Sequence, residues 1–202
     1  MPCCPAADAL VAHYESLYFD TRELSLYHAH RRGRRVRHKV RIRHYPERRL
    51  SFLEIKIRHS EQHSRKVRRQ RDFGDNVLSS ADRAFLHSEG GLGDELVPQA
   101  WVAYRRVTLL GLRCAERVTI DTHVRMWRAT GCGQLPHTAV VEVKQARLDR
   151  STPAMRAVHA IGWREGWASK YVASIALTTP EVPAHRFLPR LRVLQAAAAW
   201  TH

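Results

Sequence analysis

Several stretches of the chain alternate between apolar and charged residues, which is the pattern of a β-strand with two unlike faces. In the stretch 35–45, the cations Lys39, Arg41 and Arg43 fall on one face, and the β-branched residues between them fall on the other. The same alternation recurs in 50–58, 116–127 and 137–146. A disordered basic arm has no reason to keep a period of two, so we expect strands here.

The full pattern predicts an α+β fold with a large antiparallel sheet. Strands are expected at Tyr14–Phe19, Arg35–Tyr45, Leu50–Arg58, His63–Gln70, Trp101–Leu110, Glu116–Trp127 and His137–Ala146. Helical spacing is found at Leu24–His30, Asp75–His87, Pro153–Trp163, Ser169–Leu177 and Leu191–Trp200. The length of 202 residues fits one domain, with a C-terminal helical tail over 181–202.

The charge of the chain is strongly positive and unevenly distributed. The 34 Lys and Arg residues exceed the 19 Asp and Glu residues, which gives a net charge of +15 and a pI of about 10.6. Residues 31–71 alone hold 17 of these cations and only three acids, Glu47, Glu54 and Glu61. A charge of this size implies a polyanionic partner.

Other features restrict where the protein functions. The sequence has no apolar run of about 18 residues, which excludes a helical membrane span. The N-terminus lacks the basic and apolar regions of a signal peptide. Cys3, Cys4, Cys114 and Cys132 show neither a CxxC pair nor zinc spacing, so we expect free thiols in a reducing cytoplasm.

The charged strand faces allow two interpretations. In the first, the strands pack their apolar sides inward and leave the charges in water. In the second, the sheet closes around an ionic lumen that binds a chain of phosphates, and its few carboxylates hold a divalent cation. Lys39 lies in phase with Arg41 but near a strand end, which leaves it between lumen and rim.

A series of motifs in register resembles the VTC-type polyphosphate polymerase domain, which belongs to the triphosphate tunnel metalloenzymes related to the CYTH group. The motifs run in the order SLYFDT, LSLY, KVRIRHY, FLEIK, KVR, a Tyr-x-Arg at Tyr104–Arg106, ERVTIDT, VVEVK and ASKYVASIAL. They extend from Ser16 to Leu177, which is most of the chain.

The resemblance implies an antiparallel β-barrel tunnel that transfers the γ-phosphoryl group of ATP to polyphosphate with Mn²⁺ or Mg²⁺. It implies Lys66 and Lys170 as catalytic cations and Glu142 as the metal ligand. The implied phosphate and nucleotide ligands are Arg41, Arg43, Lys56, Tyr104, Arg106, Arg117 and Ser169. For two other acids a metal role is the alternative: we expect Glu54 to pair with Lys56 or a neighbouring arginine rather than join a metal shell, and Asp121 to orient Arg117 rather than bind metal.

The chain also departs from the family pattern. Family members begin with a strand carrying a Glu-x-Lys-Tyr motif before SLYFDT, and we expect that strand and its lysine to be missing here. The expected partners are ATP, polyphosphate or triphosphate, with no specific nucleic acid, since no aromatic residue interrupts 35–43 and no nucleic-acid motif is present. The alternatives to a polymerase are a triphosphatase on the same fold and a non-catalytic polyanion-binding protein.

Overall fold

In a computed structural model of the chain, residues 11–59, 63–93, 95–112, 114–135, 138–163, 169–184 and 187 are described. These residues form one antiparallel sheet and four α-helices. The strands are β1 Val11–Asp20, β2 Arg37–Tyr45, β3 Leu50–Arg58, β4 Ser64–Arg71, β5 Val97–Leu110, β6 Glu116–Arg128, β7 Gly131–Leu135 and β8 Val140–Gln145. The helices are α1 Ser25–Arg31, α2 Ser80–Gly90, α3 Pro153–Ala160 and α4 Lys170–Thr178, and a short 3₁₀ turn, Pro46–Arg48, links β2 to β3.

The strands are ordered β4-β3-β2-β1-β5-β6-β7, and β8 also pairs with β6. Electrostatic coupling between Lys56 of β3 and Glu142 and Lys144 of β8 joins strands that are distant in this order. The sheet therefore curls into a half-barrel, which confirms the predicted α+β antiparallel tunnel class. Within the described residues, the two ends of the sheet form no ladder with each other.

Two apolar cores hold the sheet to its helices. On the convex face of β1–β3, Val40, Ile42 and Leu53 are fully buried beneath α2, which contributes Leu86. The second core lies where α4 covers Val102, Val124 and Met126 of β5 and β6. This second core includes Tyr18, so α4 occupies one end of the concave face.

The N-terminus of α1 is held by Asp20, the aspartate of the YFDT motif. Its fully buried carboxylate accepts hydrogen bonds from the backbone N–H groups of Leu26 (2.8 Å) and Tyr27 (2.9 Å). The hydroxyl of Tyr171 on α4 donates to the same carboxylate. Asp20 therefore fixes both α1 and α4 against the end of β1.

Two local expectations differ from the structure. Strand β7 was not predicted, because its sequence GCGQL contains no β-branched or aromatic residue. Helix α2 begins at Ser80 rather than Asp75, because Ser79 and Asp82 form a capping box that sets its first turn. The predicted helix over 191–200 and any strand before Val11 lie outside the described residues.

Candidate functional site

The strand register places the predicted site residues of the sheet on one face. Antiparallel partners point to the same side, and the pairs are Arg43↔Ser16, Arg41↔Glu54, Lys56↔Lys66, Tyr14↔Tyr104, Arg106↔Asp121, Thr119↔Glu142 and Arg117↔Lys144. Because Lys56 and Glu142 interact across the curl, this common face is the concave one. Ser169 and Lys170 join it from the start of α4.

One centre on this face is the buried carboxylate of Glu54. Its Oε2 accepts from Arg41 Nε at 2.7 Å and its Oε1 from Lys66 Nζ at 2.5 Å. Burial raises the pKa of this carboxyl group, but Arg41, Arg43 and Lys66 outweigh burial and lower the pKa to about 2. The expected arginine partner is confirmed, whereas no ion pair joins Glu54 to Lys56.

A second centre is Asp121, which is also buried. Arg106 donates to both of its carboxylate oxygens, at 2.5 and 2.7 Å, and Lys170 Nζ donates to Oδ2 at 2.5 Å. The prediction that Asp121 orients Arg117 is wrong. Four residues of extended strand, about 13 Å, separate the two, and Arg117 is an exposed residue opposite Leu110 and Lys144.

Stacked tyrosines lie between the cations of these two centres. The rings of Tyr14 and Tyr104 stack at 5.3 Å, and the Arg106 guanidinium lies 5.2 Å and Lys170 Nζ 4.7 Å from the Tyr104 ring. The Tyr104 hydroxyl is buried and has no hydrogen-bond partner among the described residues. Burying a hydroxyl without a hydrogen-bond partner costs free energy. The Tyr104 hydroxyl can therefore gain a hydrogen bond from a ligand that enters this cation cluster.

Arg43 is the least compensated of the buried arginines. It is 6% exposed, and its Nε donates to Ser16 Oγ at 3.2 Å. No carboxylate pairs with it among the described residues, and its guanidinium lies over the Tyr14 ring at 5.4 Å. Its position leaves a buried positive charge that an anionic ligand can neutralise.

The remaining predicted residues lie in the more exposed part of the face, namely Lys56, Arg117 and Glu142. Glu142 is about half exposed, and its Oε1 lies 3.3 Å from Lys144 Nζ. Unlike Glu54 and Asp121, which are buried, Glu142 is open to solvent, with Lys56 and Lys144 near it. The described residues contain no group of three or more His, Cys, Asp or Glu side chains able to cage a metal ion. Glu142 therefore fits a cation that takes its other ligands from phosphate and water, as Mg²⁺ commonly does.

On the opposite, convex face of the sheet, the cations of β4 have acidic partners. On β4, Arg65 pairs with Glu89, and Arg69 and Arg71 pair with Asp82 of α2. The convex cations of β4 thus have acidic partners, whereas the described concave cations outnumber theirs. The described concave cations include Arg37, Lys39, Arg41, Arg43, Lys56, Arg58, Lys66, Arg68, Arg106, Arg117, Lys144 and Lys170, near the carboxylates Glu54, Asp121 and Glu142.

Sequence reasoning missed two members of this face, Tyr14 and Tyr18, and left the place of a third, Lys39, open. Tyr14 and Tyr18 lie in phase with Ser16 on β1, so the alternation of that strand contained the signal. Tyr18 accepts a hydrogen bond from Arg41 at 3.0 Å. The sequence did not decide whether Lys39 lies in the lumen or at its rim. In the structure its Nζ donates a hydrogen bond to Ser169 Oγ of α4.

Two further expectations concern cysteines and membranes. Cys114 and Cys132 are free thiols, and Cys3 and Cys4 lie outside the described residues. Among the helices described, none is both long and apolar enough to span a membrane.

Comparisons with known proteins identify the fold and the family. A putative adenylyl cyclase from Hippeastrum, reported to reveal a dominant triphosphatase activity, matches with a TM-score of 0.57 and 18% identity over 85% of this chain and 88% of its own. A putative adenylate cyclase from Bacillus halodurans matches with a TM-score of 0.50 and 10% identity, over 81% and 82%. No curated protein matches the chain. The family model described as "VTC domain" matches residues 5–83 and 91–179, and the chain therefore belongs to the VTC domain family, with the triphosphate tunnel fold.

Proposed function

We propose that this protein binds a nucleoside triphosphate on the concave face of its sheet and transfers the terminal phosphoryl group to a polyphosphate chain. The observation that carries the proposal is the excess of cations over carboxylates on that face, while the convex cations of β4 are neutralised by α2. A linear chain of phosphates supplies the negative charge that this surface lacks.

The chemistry of phosphoryl transfer fits such a surface. The bond between the γ-phosphorus and the β–γ bridging oxygen breaks, a bond to a terminal oxygen of polyphosphate forms, and ADP leaves with the electron pair. The protein has to position the chain and neutralise its charge. Arg43, which pairs with no carboxylate among the described residues, offers a guanidinium fork for this purpose, and Arg41, Arg106, Lys66 and Lys170 add positive charge beside it.

A divalent cation, Mn²⁺ or Mg²⁺, belongs to the proposal. Glu142 would hold it together with phosphate oxygens. When bound, the ion neutralises charge on the transferred group. The carboxylate of Glu142 lies on the same face as Lys56 and Arg117, so a cation held there would lie beside residues that can bind the same phosphate chain.

The two buried carboxylates of the site are poorly suited to activate water, which favours a phosphoryl acceptor. Water needs a base, but the cations around Glu54 and Asp121 lower the pKa of both carboxyl groups, that of Glu54 to about 2. Such groups are weak bases. A terminal phosphate of polyphosphate is already ionised and needs none.

Triphosphate hydrolysis is the second candidate, because the Hippeastrum protein of the same fold is reported to be a triphosphatase. A polyanion-binding role without catalysis is the third. The first candidate requires ATP, which is available in the cytoplasm, so we predict a cytoplasmic location.

The decisive experiment incubates the full chain with ATP and Mn²⁺ and follows ADP release and polyphosphate on a gel. We expect both products. Free phosphate from inorganic triphosphate, without polyphosphate, would favour the hydrolase; binding with neither activity would favour the non-catalytic role.

The variant Glu142→Gln tests the metal assignment. We expect turnover to fall by roughly a hundredfold or more, because the loss of the metal anchor removes several kcal/mol of charge stabilisation. Binding of triphosphate without metal should persist, since the cationic walls are intact. Glu95→Gln, an exposed residue away from this face, is the control. Full turnover by Glu142→Gln would contradict the assignment.

A further inference from the structure

Lys39 has an environment that the proposed reaction does not yet explain. It lies on β2 one same-face position before Arg41, about 7 Å along the strand. Its Nζ donates to Ser169 Oγ at 2.7 Å, and no carboxylate pairs with it among the described residues. Its direct partner across the ladder is another lysine, Lys56. Like charges directly opposite each other destabilise a sheet.

Among the residues that the structure describes, the groups packed around Lys39 offer no compensating negative charge. Its own strand contributes Arg37 and Arg41, and β3 contributes Lys56 and Arg58. Helix α1 contributes His30, whose pKa is lowered to about 3 by burial and by Lys39, so its ring is neutral. Helix α4 contributes the neutral Ser169. Burial, followed by Lys56 and Arg41, lowers the pKa of Lys39 to about 7.

Ser169 completes the arrangement. Its oxygen accepts from Lys39 and, at 3.5 Å, from the backbone N–H of Val172, and its own hydroxyl hydrogen has no acceptor among the described residues. The Lys39 amine and this hydroxyl thus lie at the start of α4, and Lys56 lies directly across the ladder from Lys39. This donor set suits a tetrahedral anion with several acceptor oxygens.

We propose that Lys39 forms, with Lys56 and Ser169, a phosphoryl subsite at the α4 end of the tunnel, and that Lys39 takes up a proton when the phosphate chain enters. The inference rests on the proposed function and adds to it a binding residue and a proton linkage. Binding is then coupled to pH through one lysine.

Calorimetry with inorganic tripolyphosphate tests the linkage. Titrations at pH 8 in two buffers of different ionisation enthalpy give the number of protons taken up. At this pH the free lysine is mostly neutral and the bound one charged, so we expect the wild-type protein to take up close to one proton more than Lys39→Arg, whose charge is permanent. Protons lost by the ligand itself are common to both proteins and cancel in the difference.

Affinity and stability separate a ligand role from a structural one. Lys39→Met should weaken tripolyphosphate binding roughly tenfold through loss of a charge-assisted hydrogen bond. It should also raise the melting temperature of the free protein, because the opposed lysine pair is removed. Lys39→Arg should retain most of the affinity, and Arg22→Gln, an exposed turn residue, controls for the loss of one charge.

The outcomes are distinguishable. If the wild-type protein does not bind tripolyphosphate, the proposed function fails and the subsite with it. If it binds and proton uptake is the same in Lys39→Arg, or Lys39→Met binds as tightly as Arg22→Gln, the subsite alone is wrong. A lower melting temperature of Lys39→Met together with weak binding by Lys39→Arg would make Lys39 a structural residue.

Discussion

Glu54 shows at the scale of a single residue how this site is stabilised before any ligand arrives. Its carboxylate is 2% exposed and binds one arginine and one lysine from the two strands that flank β3. Removing one partner from a buried ion pair leaves the other charges uncompensated, which is strongly destabilising. Glu54 therefore holds β2, β3 and β4 together through charge.

We predict that Glu54→Gln lowers the free energy of unfolding at pH 7 by about 3 kcal/mol, the equivalent of moving a pKa from 4.5 to about 2. Because the folded pKa is the lower one, this stabilisation is complete above pH 4.5 and is lost as the pH falls towards 2. Urea denaturation at pH 7 and pH 3 should show the difference between the two proteins shrinking. Glu15→Gln, exposed on β1, is the control. A difference that stayed constant with pH would refute this role.

At the scale of elements, the sequence predicted most of the sheet correctly. Alternation correctly predicted that Arg41, Lys56 and Glu142 lie on one face. Side chains of a strand alternate between its two faces, so once the apolar residues are buried on one face, the charged residues must lie on the other. Individual ion pairs were harder to predict. The partners of Asp121 come from β5 and α4, and only the register and the docking of α4 bring them together.

Helix α2 illustrates a boundary that apolar spacing does not fix. Its start is set by Ser79, whose side chain accepts from the Asp82 N–H at 3.2 Å, while Asp82 accepts from the Ser79 N–H at 2.9 Å. Asp82 also pairs with Arg69 and Arg71 of β4. The cap thus connects the helix start to the convex cations of the edge strand.

We predict that Ser79→Ala lowers the free energy of unfolding by about 1 kcal/mol, the usual cost of a lost N-cap. Ser80→Ala is the matched control, since Ser80 is exposed and is the first residue inside the helix. Urea denaturation of the two variants gives the comparison. Equal losses would mean that the capping box does not fix the start of α2.

At the scale of the whole molecule, the charge of +15 matters because of where its uncompensated part lies. The convex cations of β4 pair with Glu89 and Asp82 of α2, whereas the described cations of the concave face outnumber their carboxylates, Glu54, Asp121 and Glu142. We therefore expect a phosphate chain to be attracted into the curl of the sheet more strongly than to the convex face of β4.

Salt should consequently weaken binding through this face. Raising the salt from 0.1 M to 1 M shortens the screening length from about 10 Å to about 3 Å, so we predict a marked fall in tripolyphosphate affinity. Arg43→Ala should weaken binding about tenfold at low salt and flatten the salt dependence, because it removes a buried, uncompensated guanidinium. Arg65→Ala removes the same charge from the convex face, where Glu89 pairs with it, and should change neither quantity. Titrations of the three proteins at several salt concentrations give the slopes. Equal effects of the two substitutions would mean that the net charge of the molecule, and not the geometry of the concave face, attracts the ligand.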